Sequence, residues 1–174
     1  LTIRPSYIFR EHSMSLRLLK PILIFPFNVL GVIPALILWF SGKFETLKYK
    51  IFSLASGGVL IGIGFFITWT TVSLLVKIGK GTPAPWDPPQ NLVIEGIYQQ
   101  VRNPMMIGVW CILFGESILF QSFHLFIWFS IVFTLCLALI PLLEEPQLEK
   151  RFGESYKKYK NEVPRWLYRP RSSR

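Results

Sequence analysis

Residues 51–76 read IFSLASGGVLIGIGFFITWTTVSLLV, 26 positions without a charged side chain. A soluble helix of that length would show polar residues along one stripe, whereas this one is apolar all round. About 20 residues suffice to cross the hydrocarbon of a bilayer, so the segment predicts a tilted transmembrane helix. Within it Gly58 and Gly62 stand in GxxxG spacing, flanked by Gly57 and Gly64, which predicts close helix packing. No strand precedes these glycines, so they do not read as a phosphate-binding loop.

Working outward, three further charge-poor stretches lie at residues 21–40, 104–121 and 123–143. The first carries Pro26 and Pro34, which predict a kink or local unwinding, and it reads as a retained helix and not as a cleaved leader. The last two are separated only by Gln121 and Ser122, with His124 close by, so they predict an antiparallel helical hairpin. The fold class expected is therefore an all-α membrane protein of about four transmembrane helices. The 174-residue chain is 51% hydrophobic with a mean hydropathy of +0.41, and its charges gather between the apolar runs instead of scattering through them.

The net charge of +9 comes from Lys and Arg that flank apolar spans, which points to anionic headgroups and away from nucleic acid. Sixteen of the nineteen cations fall in residues 1–20, 77–102 and 150–174, and three fall in residues 43–50. The positive-inside rule then places both termini and the 77–102 connector on the cytosolic side. Residues 1–20 read as a basic amphipathic lead-in, and the chain divides into an amino-terminal part, 1–76, and a second part, 77–174. The connector, rich in Pro and Gly, is expected to be stiff and extended. Cys111 and Cys136 lie inside apolar spans without CxxC spacing, and the two histidines, His12 and His124, fall on opposite sides, so no metal site is expected.

Two constellations face the cytosol. Gly96, Tyr98, Arg102, Asn103, Pro104 and Gly108 surround the start of the third span, where Asn103 suits an N-cap and Pro104 a first helical position. Arg102 beside a helix N-terminus would make a receptor for a carboxylate or phosphate. Glu144 and Glu145 end the fourth span and are followed by Leu148, Phe152, Tyr156 and Tyr159 at helical spacing, then Val163-Pro164-Arg165-Trp166. The spacing predicts an interfacial amphipathic helix with its tyrosines as membrane anchors.

Together these stretches resemble the integral-membrane methyltransferase family that includes isoprenylcysteine carboxyl methyltransferases and phospholipid N-methyltransferases. The resemblance covers about residues 77–170, and the phrase GTPAPWDPP at 81–89 is similar to a bacterial branch, which would put the protein in a bacterial inner membrane. Asn103 stands where relatives carry His, and Met106 where they carry Tyr, so a titrating imidazole at 103 is not available. The resemblance implies S-adenosylmethionine as cofactor, held by Gly96, Tyr98, Arg102, Asn103, Pro104, Glu144, Glu145, Tyr156 and Tyr159, and a lipid or lipid-modified acceptor entering from the bilayer. Glu145 is the base expected for an amine acceptor and Arg165 the anchor for an anionic one. The alternatives are an NADPH-dependent membrane reductase, for which the chain is short, and a non-catalytic membrane scaffold.

Overall fold

In the computed structural model, residues 27–42, 50–83 and 87–167 are described. The amino-terminal lead-in, Pro26, Lys43, Lys48, His12 and the last seven residues lie outside them. Helix α1 spans Asn28–Phe40, α2 Ile51–Lys77, α3 Pro104–Leu119 and α4 Phe123–Leu139, followed by α5, Glu145–Phe152, and α6, Glu154–Glu162. A 3₁₀ turn, Gly96–Gln99, precedes α3, and the described residues contain no strand.

Four apolar helices stand where four charge-poor stretches lie, and two of them are long and apolar enough to cross a membrane, α2 and the continuous run Phe123–Phe152. That run is 30 residues long, about 45 Å at 1.5 Å per residue. The hydrocarbon is about 30 Å thick. The run is therefore longer than one crossing needs, and its charged residues begin only at Glu144, after the apolar stretch.

Two prolines set local helix geometry. Residues Asn28–Val32 form a π turn in which the Ile33 N–H donates to the Asn28 carbonyl. In that register the Val29 carbonyl falls to Pro34, which has no N–H to give. The indole of Trp128 in α4 donates to it instead, Nε1 to O at 3.1 Å, and so fastens α1 to α4. A second π turn, Ile140–Glu144, contains Pro141 and joins α4 to α5, resetting the phase of every side chain beyond it.

The α2–α3 pair is held by glycine, though not by the GxxxG pair. A Cβ on Gly58 or Gly62 would meet nothing within 4 Å. On Gly57 it would lie 2.8 Å from the Gly115 carbonyl, and on Gly64 2.5 Å from the Gly108 carbonyl. Two glycines seven apart on α2 thus meet two glycines seven apart on α3, antiparallel, with the backbones in direct contact. Only hydrogen at these Cα positions permits that approach.

The hairpin expected between α3 and α4 is present. Ser122 accepts from the Leu125 N–H at 3.4 Å as N-cap of α4, and its own N–H donates to the Ser117 carbonyl at 3.1 Å. The connector is not extended. Its chain doubles back, with Gln90 and Asn91 N–H groups donating to the Gly79 carbonyl and the Thr82 N–H donating to Asp87 at 2.7 Å. Gly79 and Gly81 allow this because Pro88 and Pro89 pack directly over them.

The carboxy-terminal segment also departs from a single interfacial helix. Gly153 adopts φ +56°, ψ −131°, a conformation that side chains rarely tolerate, and breaks it into α5 and α6. The stripe Leu148, Phe152, Tyr156 and Tyr159 then packs against Leu92 of the connector and Val163, forming a small core. Tyr156 is 2% exposed and Tyr159 6%, so neither is a membrane anchor.

Candidate functional site

The connector, the start of α3 and the α5–α6 pair enclose one open cavity of about 400 Å³, within the range of about 300–1,000 Å³ usual for small-molecule sites. Part of its lining is apolar, with Leu75, Leu92, Val93, Leu148 and Phe152. The lining also carries Tyr98, Arg102, Asn103, Glu144, Tyr156 and Tyr159, with Met105 and Met106 from the first turn of α3.

Of the residues expected at a site, Tyr98, Arg102, Asn103, Pro104, Glu144, Tyr156 and Tyr159 line this cavity. Gly96, Glu145 and Arg165 do not. Gly96 turns the chain at φ +58° against Leu74. Glu145 and Arg165 bind each other, Nε to Oε1 at 2.6 Å and Nη2 to Oε2 at 2.8 Å, a bidentate pair behind the cavity wall.

Glu145 is the hub of this region. Besides Arg165, its carboxylate meets Arg102 Nη1 at 2.9 Å and Lys160 Nζ at 3.6 Å. Burial alone would raise the Glu145 carboxyl, but Arg165, Arg102 and Lys160 together hold it below the ordinary carboxylate range. The same contacts tie three segments into one body. The Arg102 N–H donates to the Pro164 carbonyl at 2.9 Å, and the Tyr159 hydroxyl donates to the Tyr98 carbonyl at 2.7 Å. Trp166 then packs at a tilt against Trp110 of α3, ring centres 4.6 Å apart, and neither lines the cavity.

The phenols are held neutral. Burial, with the Glu145 charge nearby, pushes Tyr156 up to about 12 against the opposing pull of Arg102. Burial also raises Tyr98 and Tyr159, and each is raised further by the facing or neighbouring phenol.

Two groups at the cavity are unsatisfied, and a third, Glu144, is exposed without a protein partner among the described residues. Arg102 is 7% exposed, yet its Nε–H has no hydrogen-bond partner. Asn103 occupies the N-cap position of α3 but makes no side-chain capping bond, contrary to the role its type predicts, and so leaves the first-turn N–H groups of Met105 and Met106 uncapped. Glu144 makes no hydrogen bond or ion pair among the described residues. A buried orphan donor costs stability unless a ligand meets it. An anionic group at the helix start and a cationic one at Glu144 fit these atoms. Among the described residues no group of His, Cys, Asp and Glu could hold a metal ion.

Sequence reasoning missed Thr82, Asn91, Gln147 and Arg151 in the cavity lining. Helical phase would have found two of them, since Gln147 and Arg151 follow Glu144 at i+3 and i+7.

An all-helical protein with helices apolar enough to cross a membrane and a cavity at a helix start, built from an Arg-Asn-Pro and a Glu-Glu segment, defines a class, and comparison with known proteins places the chain in it. The phospholipid methyltransferase family model matches residues 52–155, and the chain belongs to that family. Over 73 residues it is 34% identical to the protein-S-isoprenylcysteine O-methyltransferase of Schizosaccharomyces pombe. That match takes in 42% of this chain and 31% of the yeast protein, so the chain spans about a third of its curated relative's length. No solved structure is significantly similar to the chain.

Proposed function

We propose that the protein transfers a methyl group from S-adenosylmethionine to a lipid or lipid-modified acceptor where the membrane meets the cytosol. The observation that carries this is the buried, unpartnered Arg102 Nε–H, set at the uncapped start of α3 in a cavity that Glu144 also lines.

The residues present fit the cofactor. Arg102 Nε–H and the Met105 and Met106 N–H groups donate to its amino-acid carboxylate, and Asn103 adds an amide. Glu144 accepts from its ammonium or ribose hydroxyls, and Leu92, Leu148 and Phe152 supply an apolar wall for adenine. When bound, S-adenosylmethionine supplies a methyl group on a positively charged sulfonium whose departure needs no acid. The protein's work is alignment and exclusion of water. Glu145 fixes the Arg102 guanidinium from behind, and the folded connector and α6 cover the site. The apolar end at Leu75, Met105 and Met106 receives the acceptor's lipid portion.

Glu145 and Arg165 saturate each other, so we assign them positioning roles in place of those of base and anion anchor. Whether the acceptor presents a prenylcysteine carboxylate or an amine headgroup is decided by labelled methyl transfer to each. No observation favours the reductase or scaffold alternative.

Calorimetric titration of the detergent-purified protein with S-adenosylmethionine, and with NADPH as comparator, tests the reading. Saturable S-adenosylmethionine binding that weakens at least tenfold in Arg102→Gln, the worth of about one charge-assisted hydrogen bond, is expected. Binding of NADPH alone would overturn it.

A further inference from the structure

The cavity-facing stripe of the helix that runs from the π turn through α5 is Glu144, Gln147, Leu148, Arg151 and Phe152. Glu144 lies at its membrane end. Arg151 lies seven residues on, about 10 Å along the axis, at headgroup height above the apolar layer.

Arg102, Glu144 and Arg151 are the three charged side chains that line the cavity among the described residues. They are not equivalent. Arg102 is tied to Glu145 by Nη1, which leaves its Nε–H for a ligand beside the α3 start. Glu144 is open. Arg151 forms no ion pair or hydrogen bond among the described residues, although Glu145 and Glu149 nearby draw Arg102, Arg165 and Lys160. Its guanidinium instead lies 5.8 Å from the Phe152 ring centre, a stacking that holds a planar cation without using its donors. A cofactor with one carboxylate and one ammonium is matched by Arg102 and Glu144. One cation is left over at the mouth, with its hydrogen-bonding edge unspent.

We infer that Arg151 binds an anionic group of the methyl acceptor, a phosphate or a carboxylate, and so selects anionic over neutral amphiphiles. The inference rests on the reading of the cavity as a methyltransferase site. A planar guanidinium meets either anion with two parallel N–H donors, so both sources satisfy the same chemistry. Arg151 is exposed, so an uncharged lipid head would leave its donors to water and gain no charge pairing, and a cationic one would be repelled.

The test uses the full chain in maltoside detergent. Dodecyl phosphate, laurate and dodecanol are titrated against tryptophan fluorescence, with and without S-adenosylmethionine, for the native protein, Arg151→Gln and Arg151→Lys. The native protein should bind one or both anions about tenfold more tightly than dodecanol. The stronger of the two anions names the source. Arg151→Gln should lose the preference, Arg151→Lys should keep part of it, and cofactor affinity should stay within about twofold in both. A preference that persists in Arg151→Gln, or is absent from the native protein, overturns the inference. So does a loss of cofactor affinity in Arg151→Gln as large as in Arg102→Gln, which would assign Arg151 to the cofactor. Failure of the cofactor to bind the native protein sinks the methyltransferase reading, while the cofactor-free titrations still report on Arg151.

Discussion

Arg102 and Glu145 meet at 2.9 Å with side chains only 7% and 3% exposed, one at the start of a membrane helix and the other just beyond the end of the next. Arg102 is buried against this carboxylate, which Arg165 and Lys160 also hold. Glu145→Ala should destabilise the protein by about 3–5 kcal/mol, since it strands Arg102, whereas Arg102→Ala should cost less because Arg165 and Lys160 still hold Glu145. The double replacement should cost less than the two single costs together. Thermal unfolding of all three in one detergent checks this.

The same carboxylate gives a pH dependence. Its folded value is depressed by the surrounding cations, so it binds fewer protons folded than unfolded. Its contribution is complete above the unfolded value of about 4.3 and is lost as pH falls through the lower folded value. The difference in melting temperature between native protein and Glu145→Gln should be level from pH 6 to 8, to order of magnitude, and shrink below about 4. A difference that shrinks as pH rises from 6 to 8 would count against the arrangement.

Packing predicts an asymmetry among glycines. Gly64→Ala and Gly108→Ala force a methyl group into facing backbone, and at Gly108 also into the Thr68 hydroxyl, with costs of about 1–3 kcal/mol each. Gly58→Ala and Gly62→Ala meet open space and should be neutral or slightly stabilising. Equal effects at all four sites, measured by thermal unfolding, would refute the observed register.

Asn103 makes no capping bond, so Asn103→Ala should leave the melting temperature nearly unchanged. If its amide contacts the cofactor, S-adenosylmethionine affinity should fall about fivefold. Calorimetry and melting on the same sample separate the two effects.

Much of this was legible in the sequence, and what was not has physical reasons. Charge-free runs reveal helices because lipid excludes unpaired charge, and Gln121-Ser122 reveals the hairpin because so short a turn permits little else. The partners of Gly57 and Gly64 were hidden because the match depends on Gly115 and Gly108 in another helix, while the local GxxxG spacing pointed to Gly58 and Gly62. Adjacent Glu144 and Glu145 face about 100° apart on a helix, so one can line a cavity while the other is pinned behind it. Which does which is set by the π turn at Pro141, a phase change that residue types alone do not announce. The break at Gly153 hid the burial of Tyr156 and Tyr159, whose spacing fits a lipid-facing stripe equally well.

The central claim is tested most directly by following a labelled methyl group. Membranes containing the native protein or Arg102→Gln are incubated with methyl-labelled S-adenosylmethionine, and lipids and lipid-modified peptides are extracted into organic solvent. Label that enters the extract with the native protein, and falls at least tenfold with Arg102→Gln at equal protein level, is the predicted result. Label at the level of membranes lacking the protein would contradict the account.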